Sequence, residues 1–165
     1  MFSDMKILVL SDTHGAFDRV NSILNIHAYF DALLFLGDGL RDIPEYCRGA
    51  SFAVRGNCDM FCDCVPTEQS LTFDGMNIFM THGHTYSVKY GEQQLILAAA
   101  LKDSDIVLFG HTHIPVERYL PEGYVVGDST LTRPMYMFNP GSVRQGSYGL
   151  VQIKNGSVLL SHGCV

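Results

Sequence analysis

No apolar run in the 165-residue sequence approaches the ~20 residues that would span a bilayer, which argues against a helical membrane protein. Met1 to Lys6 is too polar and too short to open a secretory signal, and strand-like residues follow at once. A cytoplasmic protein is expected, with no membrane partner. Basic residues are scarce: 11 Lys and Arg against 17 Asp and Glu give a net charge of −6. A broad phosphate-binding face for nucleic acid is therefore disfavoured, although a local cationic site charged by metal is not. The five cysteines are odd in number and lack a secretory context, so reduced thiols are expected. Three of them, Cys58, Cys62 and Cys64, are spaced C-x₃-C-x-C without an obvious fourth partner, and this argues against a zinc site. Repeats, low-complexity stretches and linkers are all missing. One domain over residues 1–165 is expected.

What is present is a globular composition, 47 % hydrophobic and 17 % charged. Short apolar runs at 6–10, 32–36, 51–54, 77–81 and 105–109 read as buried strands. Between them the spacing predicts a helix near 16–30, with Phe17, Val20, Ile23, Leu24 and His27 on one face. It predicts a second at 92–102 and a shorter one from Arg41 to Cys47. Strands alternating with helices indicate an α/β fold with a largely parallel sheet. Asp74-Gly75 and Asn155-Gly156 are hairpin signals, so antiparallel strands are added and the sheets become mixed.

Polar residues fall at one recurring place. The first strand is followed by Asp12 and His14, and the second by Gly37 and Asp38. Asn57, Cys58 and Asp59 follow the third, His82 and His84 the fourth, and His111 and His113 the fifth. Singly, each has an ordinary explanation: Asp and Asn cap helices and make turns, and a lone His is commonly a hydrogen-bonded half-buried residue. Together they put two carboxylates, an amide and several imidazoles beyond the carboxyl ends of parallel strands, where α/β sheets bind ligands. Burying so many polar groups without partners is costly. Metal coordination removes that cost. Asp, Asn and His ligands without thiolate suit Mn, Fe, Co, Ni or Zn. Seven ligands exceed one tetrahedral site and suit two sites sharing a carboxylate, an arrangement used in phosphoester hydrolysis.

The ordered motifs Asp12-x-His14, Gly37-Asp38, Gly56-Asn57-Cys58-Asp59, His82-Gly83 and Gly110-His111-x-His113 resemble those of the calcineurin-like metallophosphoesterase superfamily. With Asn139-Pro-Gly-Ser142, they most resemble its small YfcE-like phosphodiesterases. The resemblance covers residues 6 to about 153. It implies a four-layer α/β sandwich of two mixed β-sheets flanked by helices. It also implies two divalent metal ions, manganese first, with nickel, cobalt, iron or zinc as alternatives. Asp12, His14, Asp38 and His113 would hold one ion. Asp38, Asn57, His82 and His111 would hold the other, so Asp38 would bridge. The implied activity is hydrolysis of a small phosphodiester by a hydroxide bridging the metals. The alternatives are a phosphomonoesterase and a non-catalytic scaffold of the same fold. Family members often self-associate, so a homo-oligomer is expected as well. Where the superfamily's protein phosphatases carry a proton-donating His, this chain has Cys58; Cys58 and His84 are both candidates for a catalytic role.

Overall fold

The computed structural model describes residues 4–44 and 50–165. Among them, two five-stranded sheets form the body. The first runs, edge to edge, Ser157–Cys164 (β12), Ser147–Lys154 (β11), Met5–Leu10 (β1), Ala32–Phe35 (β2) and Ala50–Ala53 (β3). The second runs Glu68–Phe73 (β4), Met76–Thr81 (β5), Ile106–Leu108 (β6), Met135–Asn139 (β10) and Val116–Leu120 (β7). A ribbon of Val125–Val126 (β8) and Ser129–Thr130 (β9) stands apart. Each large sheet is mixed by the same plan. β1, β2 and β3 are mutually parallel, as are β5, β6 and β10, and antiparallel strands complete both.

The alternation of buried side chains shows why the parallel strands read as unbroken apolar runs. Ile7 and Val9 of β1 face Ile78 and Met80 of β5 in a core between the sheets. Their neighbours Leu8 and Leu10 turn outward beneath Val20 and Ile23 of Phe17–Ile26 (α1). On the other sheet, Phe79 and Val107 turn outward beneath Leu95, Ile96 and Ala99 of Gln93–Ala100 (α2). Both faces of the central parallel strands are therefore dry, while the edge strands remain partly exposed, and the order of layers is helix, sheet, sheet, helix. Both hairpins are two-residue turns with positive φ at both positions: 47° and 80° at Asp74-Gly75, 52° and 75° at Asn155-Gly156. This is the geometry that those dipeptides signal.

Three expectations need correction. The first helix stops at Ile26, not residue 30. The His27 ring lies 2.9 Å from the Tyr148 hydroxyl, and Asp31 exchanges backbone and side-chain hydrogen bonds with Lys6, so the chain must already be extended towards β2. Phe17 is half-exposed, not on the buried face, because α1 fully buries only Val20 and Ile23. Of the helix expected from Arg41 to Cys47, the described residues Arg41 and Asp42 belong to the short 3₁₀ turn Leu40–Asp42. Ile43 is extended ahead of Pro44, and residues 45–47 lie outside the described residues.

Glu68, at the start of β4, accepts from the Tyr86 hydroxyl and pairs with Lys102 at 3.0 Å, tying the sheet edge to the end of α2. Burial would raise its pKa, but the Tyr86 hydrogen bond and the Lys102 charge outweigh that and lower it. A lowered folded-state pKa adds stability above the unfolded value of 4.5, and that stability is lost as pH falls through the folded one. The pair is partly exposed, so Glu68→Gln should cost less than about 1 kcal/mol near neutrality. Urea unfolding of both proteins checks this, and the gap should close as pH falls below 4.5 and through the lowered folded-state value.

Candidate metal centre

The loops after β1, β2, β3, β5 and β6 converge at one edge of the sandwich. Asp12 is fully buried, Asp38 is 2 % exposed and His82 is fully buried, so three of the charged or titratable side chains lie where water does not reach them. Each is held from behind. Asp12 Oδ2 accepts from the Ser11 hydroxyl at 2.6 Å and from the His111 amide at 3.0 Å. Asp38 Oδ1 accepts from the Cys58 amide at 2.7 Å. His82 Nδ1 lies 2.7 Å from the Leu36 carbonyl, which only accepts, so Nδ1 carries the hydrogen and Nε2 faces inward.

The inward atoms form two adjoining groups. Asp12 Oδ1, His14 and His113 make one, with His113 Nε2 3.1 Å from Asp12 Oδ1 and 3.3 Å from His14 Nε2. Asp38, His82 and His111 make the other, with His82 Nε2 3.3 Å from Asp38 Oδ2 and 3.2 Å from His111 Nδ1. Asp38 Oδ2 also lies 3.8 Å from His14 Nε2, which places this carboxylate between the groups. Asp12 Oδ1 is buried and has no hydrogen-bond partner among the described residues. A buried, unpartnered carboxylate oxygen ringed by imidazole nitrogens is costly unless a cation occupies the space. The donor set of carboxylate oxygen and imidazole nitrogen fits a borderline divalent ion.

The backbone is bent to achieve this. Among the described residues, nine other than glycine have positive φ, and five of them are Asp12, His14, Asp38, His111 and His113, at 53°, 43°, 60°, 66° and 61°. Such conformations cost energy and persist only where the surroundings impose them. Asp59 is one of those surroundings. Its carboxylate accepts four backbone N–H groups, those of Asp38, Gly39, Leu40 and Gly56, at 2.8–3.0 Å, and so locks the β2 loop to the β3 loop. Asn139, at the end of β10, does the same for the histidine loop: its amide donates to the Gly110 carbonyl and the Thr112 hydroxyl. Neither residue stood out in the sequence as a positioning group. The signal for Asp59 was its place in G-N-C-D.

Of the remaining expected site residues, Asn57 is exposed, with its Nδ2 3.3 Å from Cys58 Sγ. Cys58 Sγ groups with His14 and Asp38. Burial, then the Asp38 carboxylate, pushes its thiol up to about 11, so it stays protonated at neutral pH. The His84 ring centre is 5.4 Å from that of His82. Burial and the His82 charge lower its pKa, and its Nδ1 is buried without a partner. Burial, then His82 and Lys89, pull His111 down to about 4. Asp38 moves the other way from what burial dictates: His82 and the Cys58 amide hold it well below the usual carboxylate range.

The glycines of the motifs are required by contact. A Cβ on Gly56 would lie 2.0 Å from Asp38 Oδ1, and one on Gly110 would lie 2.0 Å from Ser11 Oγ. Gly56→Ala should therefore displace Asp38 and weaken Mn²⁺ binding about tenfold or more. Gly75→Ala strains a turn of positive φ but meets no atom within 4 Å, so it should leave Mn²⁺ affinity unchanged. Titration calorimetry of both variants tests this, and equal affinities would sink the explanation.

Comparison with known proteins agrees with this geometry. The model of the calcineurin-like phosphoesterase superfamily domain matches residues 5–163. The probable metallophosphoesterase YsnB of Bacillus subtilis is 28 % identical over 158 residues, covering 92 % of this chain and 86 % of its own length. The phosphodiesterase YfcE of Escherichia coli K12 is 29 % identical over 180 residues, covering 89 % and 87 %. A Streptococcus pneumoniae structure described as a predicted phosphoesterase superposes with a TM-score of 0.78 at 23 % identity, covering 99 % of this chain and 91 % of that one. A family match over nearly the whole chain, on a fold whose loops gather the family's motifs at one edge, is decisive: the chain belongs to the calcineurin-like phosphoesterase superfamily.

Proposed function

We propose that the protein is a dinuclear metal-dependent phosphodiesterase acting on a small diester, with Asp12, His14, Asp38 and His113 around one ion and Asp38, Asn57, His82 and His111 around the other. The observation that carries this is the pair of adjoining groups with Asp38 between them, 3.3 Å from His82 and 3.8 Å from His14. The name of the Escherichia coli relative supports diesters over monoesters. Manganese is the ion proposed first. Four described cysteines are unpaired, which suits a reducing cytoplasm. Residues 1–165 are proposed to act as one unit.

Bound ions of this kind supply Lewis-acid polarisation of the phosphoryl oxygens and a water acidified enough to attack phosphorus near neutral pH. The chain's own residues prepare the site for that chemistry. Ser11 and the His111 amide fix one oxygen of Asp12 and leave the other facing the imidazoles. Leu36 holds His82 with Nε2 turned inward. His84, whose lowered pKa favours the neutral imidazole near pH 7, stands beside the second group, and in this reading it would contact the phosphate as a hydrogen-bonding partner. Cys58 lines the site as a protonated thiol and holds Asp38 through its backbone amide.

Two outcomes test the proposal. Chelation should abolish hydrolysis of bis(p-nitrophenyl) phosphate and Mn²⁺ should restore it, with kcat/KM above that for p-nitrophenyl phosphate. A clear monoester preference would favour a phosphatase instead. Asp38→Asn should empty both metal positions and remove essentially all turnover, whereas His14→Ala should keep one ion and a residual rate. Metal content per chain, read beside circular dichroism, decides this. Two ions retained by Asp38→Asn would show that Asp38 is not the bridge.

A further inference from the structure

A cleft of about 450 Å³ opens directly beside the metal centre. His14, Asp38 and Cys58 of the centre line it together with Arg41, Arg144 and Phe61. The two arginines come from short turns tied to the centre. Arg41 lies in the 3₁₀ turn Leu40–Asp42, whose first amide is held by Asp59 at 3.0 Å. Arg144 lies in the 3₁₀ turn Val143–Gln145, and its own amide donates to the Asp12 carbonyl at 3.3 Å.

These arginines differ from three others in the chain. Arg55, Arg118 and Arg133 each pair with a carboxylate. Among the described residues, the side chains of Arg41 and Arg144 have no ion-pair or hydrogen-bond partner. Acidic neighbours do not take that role. Asp59 spends both oxygens on four backbone amides, and Asp42 Oδ2 accepts from the Thr13 hydroxyl and the Gly15 amide. Phe61, 83 % exposed, and Met60, 70 % exposed, supply a large apolar surface at the same cleft, and the other described Phe residues are all less exposed than Phe61.

We propose that this cleft receives one ester arm of the substrate and selects an arm bearing a further anionic group, bound by Arg41 and Arg144, and a planar ring that packs on Phe61, as in a nucleotide. The proposal rests on the placement of the reacting phosphate at the metal centre. Arginine forks bind phosphate through paired N–H donors, and an aromatic face stacks on a base without regard to its identity.

Equilibrium binding to the Mn²⁺-loaded protein tests this apart from turnover. Adenosine 3′,5′-bisphosphate should bind about tenfold or more tighter than adenosine 5′-monophosphate. The Arg41→Ala/Arg144→Ala double variant should bring that ratio to within about twofold of one. Adenosine 5′-monophosphate should in turn bind about fivefold tighter than ribose 5-phosphate, and Phe61→Ala should remove that margin. Equal binding of the bisphosphate and monophosphate by the native protein, or a preference that survives the double variant, would overturn the anion site. Equal binding of the monophosphate and ribose 5-phosphate would overturn the ring site. Hydrolysis of bis(p-nitrophenyl) phosphate is measured on the same preparation. An inactive protein that keeps the binding preference upholds the cleft and defeats the diesterase proposal; an active one without the preference does the reverse.

Discussion

Asp12 is a carboxylate with no access to water, and much of the structure is arranged around keeping it there. Its amide donates to the Gly37 carbonyl after β2, and its own carbonyl accepts from Ser142 and Arg144 after β10. Its Oδ2 is held by Ser11 and by His111 after β6. One residue thus joins the carboxyl ends of strands from both sheets. Burying a charge without partners costs several kcal/mol. Every donor the protein supplies goes to one oxygen, and the other oxygen is left facing three imidazoles. A stability optimum would have satisfied both. Leaving one free is the mark of a site shaped for a cation.

The backbone carries the corresponding load. Five candidate ligands adopt positive φ, each a conformation worth of order 1 kcal/mol or more for a residue with a side chain. Such strain survives because the loops have little freedom. They leave strands whose side chains are buried on both faces, and they are tied to one another by Asp59 and Asn139 through hydrogen bonds to backbone groups. The rigid part of the molecule is close-packed and apolar, and it sets the positions of a few polar groups that would not choose those positions alone.

That division explains what could be read from the sequence. A strand buried on both faces is a run of apolar residues, so five runs gave five strands to within a residue or so of their ends, and the polar residues after each run gave the site. β10 escaped notice because Met-Tyr-Met-Phe contains no β-branched residue and stands between Pro134 and Pro140, although it lies second from the edge of its sheet. The end of α1 was misplaced because it is set by the contacts of His27 and Asp31 with distant residues, and helical periodicity carries no record of those. Asp59 and Asp42 were hidden for another reason. An aspartate that gathers backbone amides across a loop has the same local signature as any turn aspartate, and only the folded chain shows how many it holds.

The two candidate ligand groups do not divide between the two sheets. Asp12 and His14 follow β1 of the first sheet, and their partner His113 follows β6 of the second. Asp38 follows β2 of the first sheet, and its partners His82 and His111 follow β5 and β6 of the second. Each group therefore spans the sandwich. The distance between its ligand atoms depends on how the sheets are stacked, which the core of Ile7, Val9, Ile78, Met80 and Phe138 determines. A change of volume in that layer alters the stacking before it alters either sheet, because strands within a sheet are fixed by ladders of hydrogen bonds, whereas the sheets meet mainly through side-chain packing, with hydrogen bonds such as His82 to Leu36 and His111 to Asp12 added at the edge. The spacing of the centre is thus a property of the hydrophobic layer beneath it, and a cation drawing ligands from both sheets would in turn hold that layer closed at its open edge.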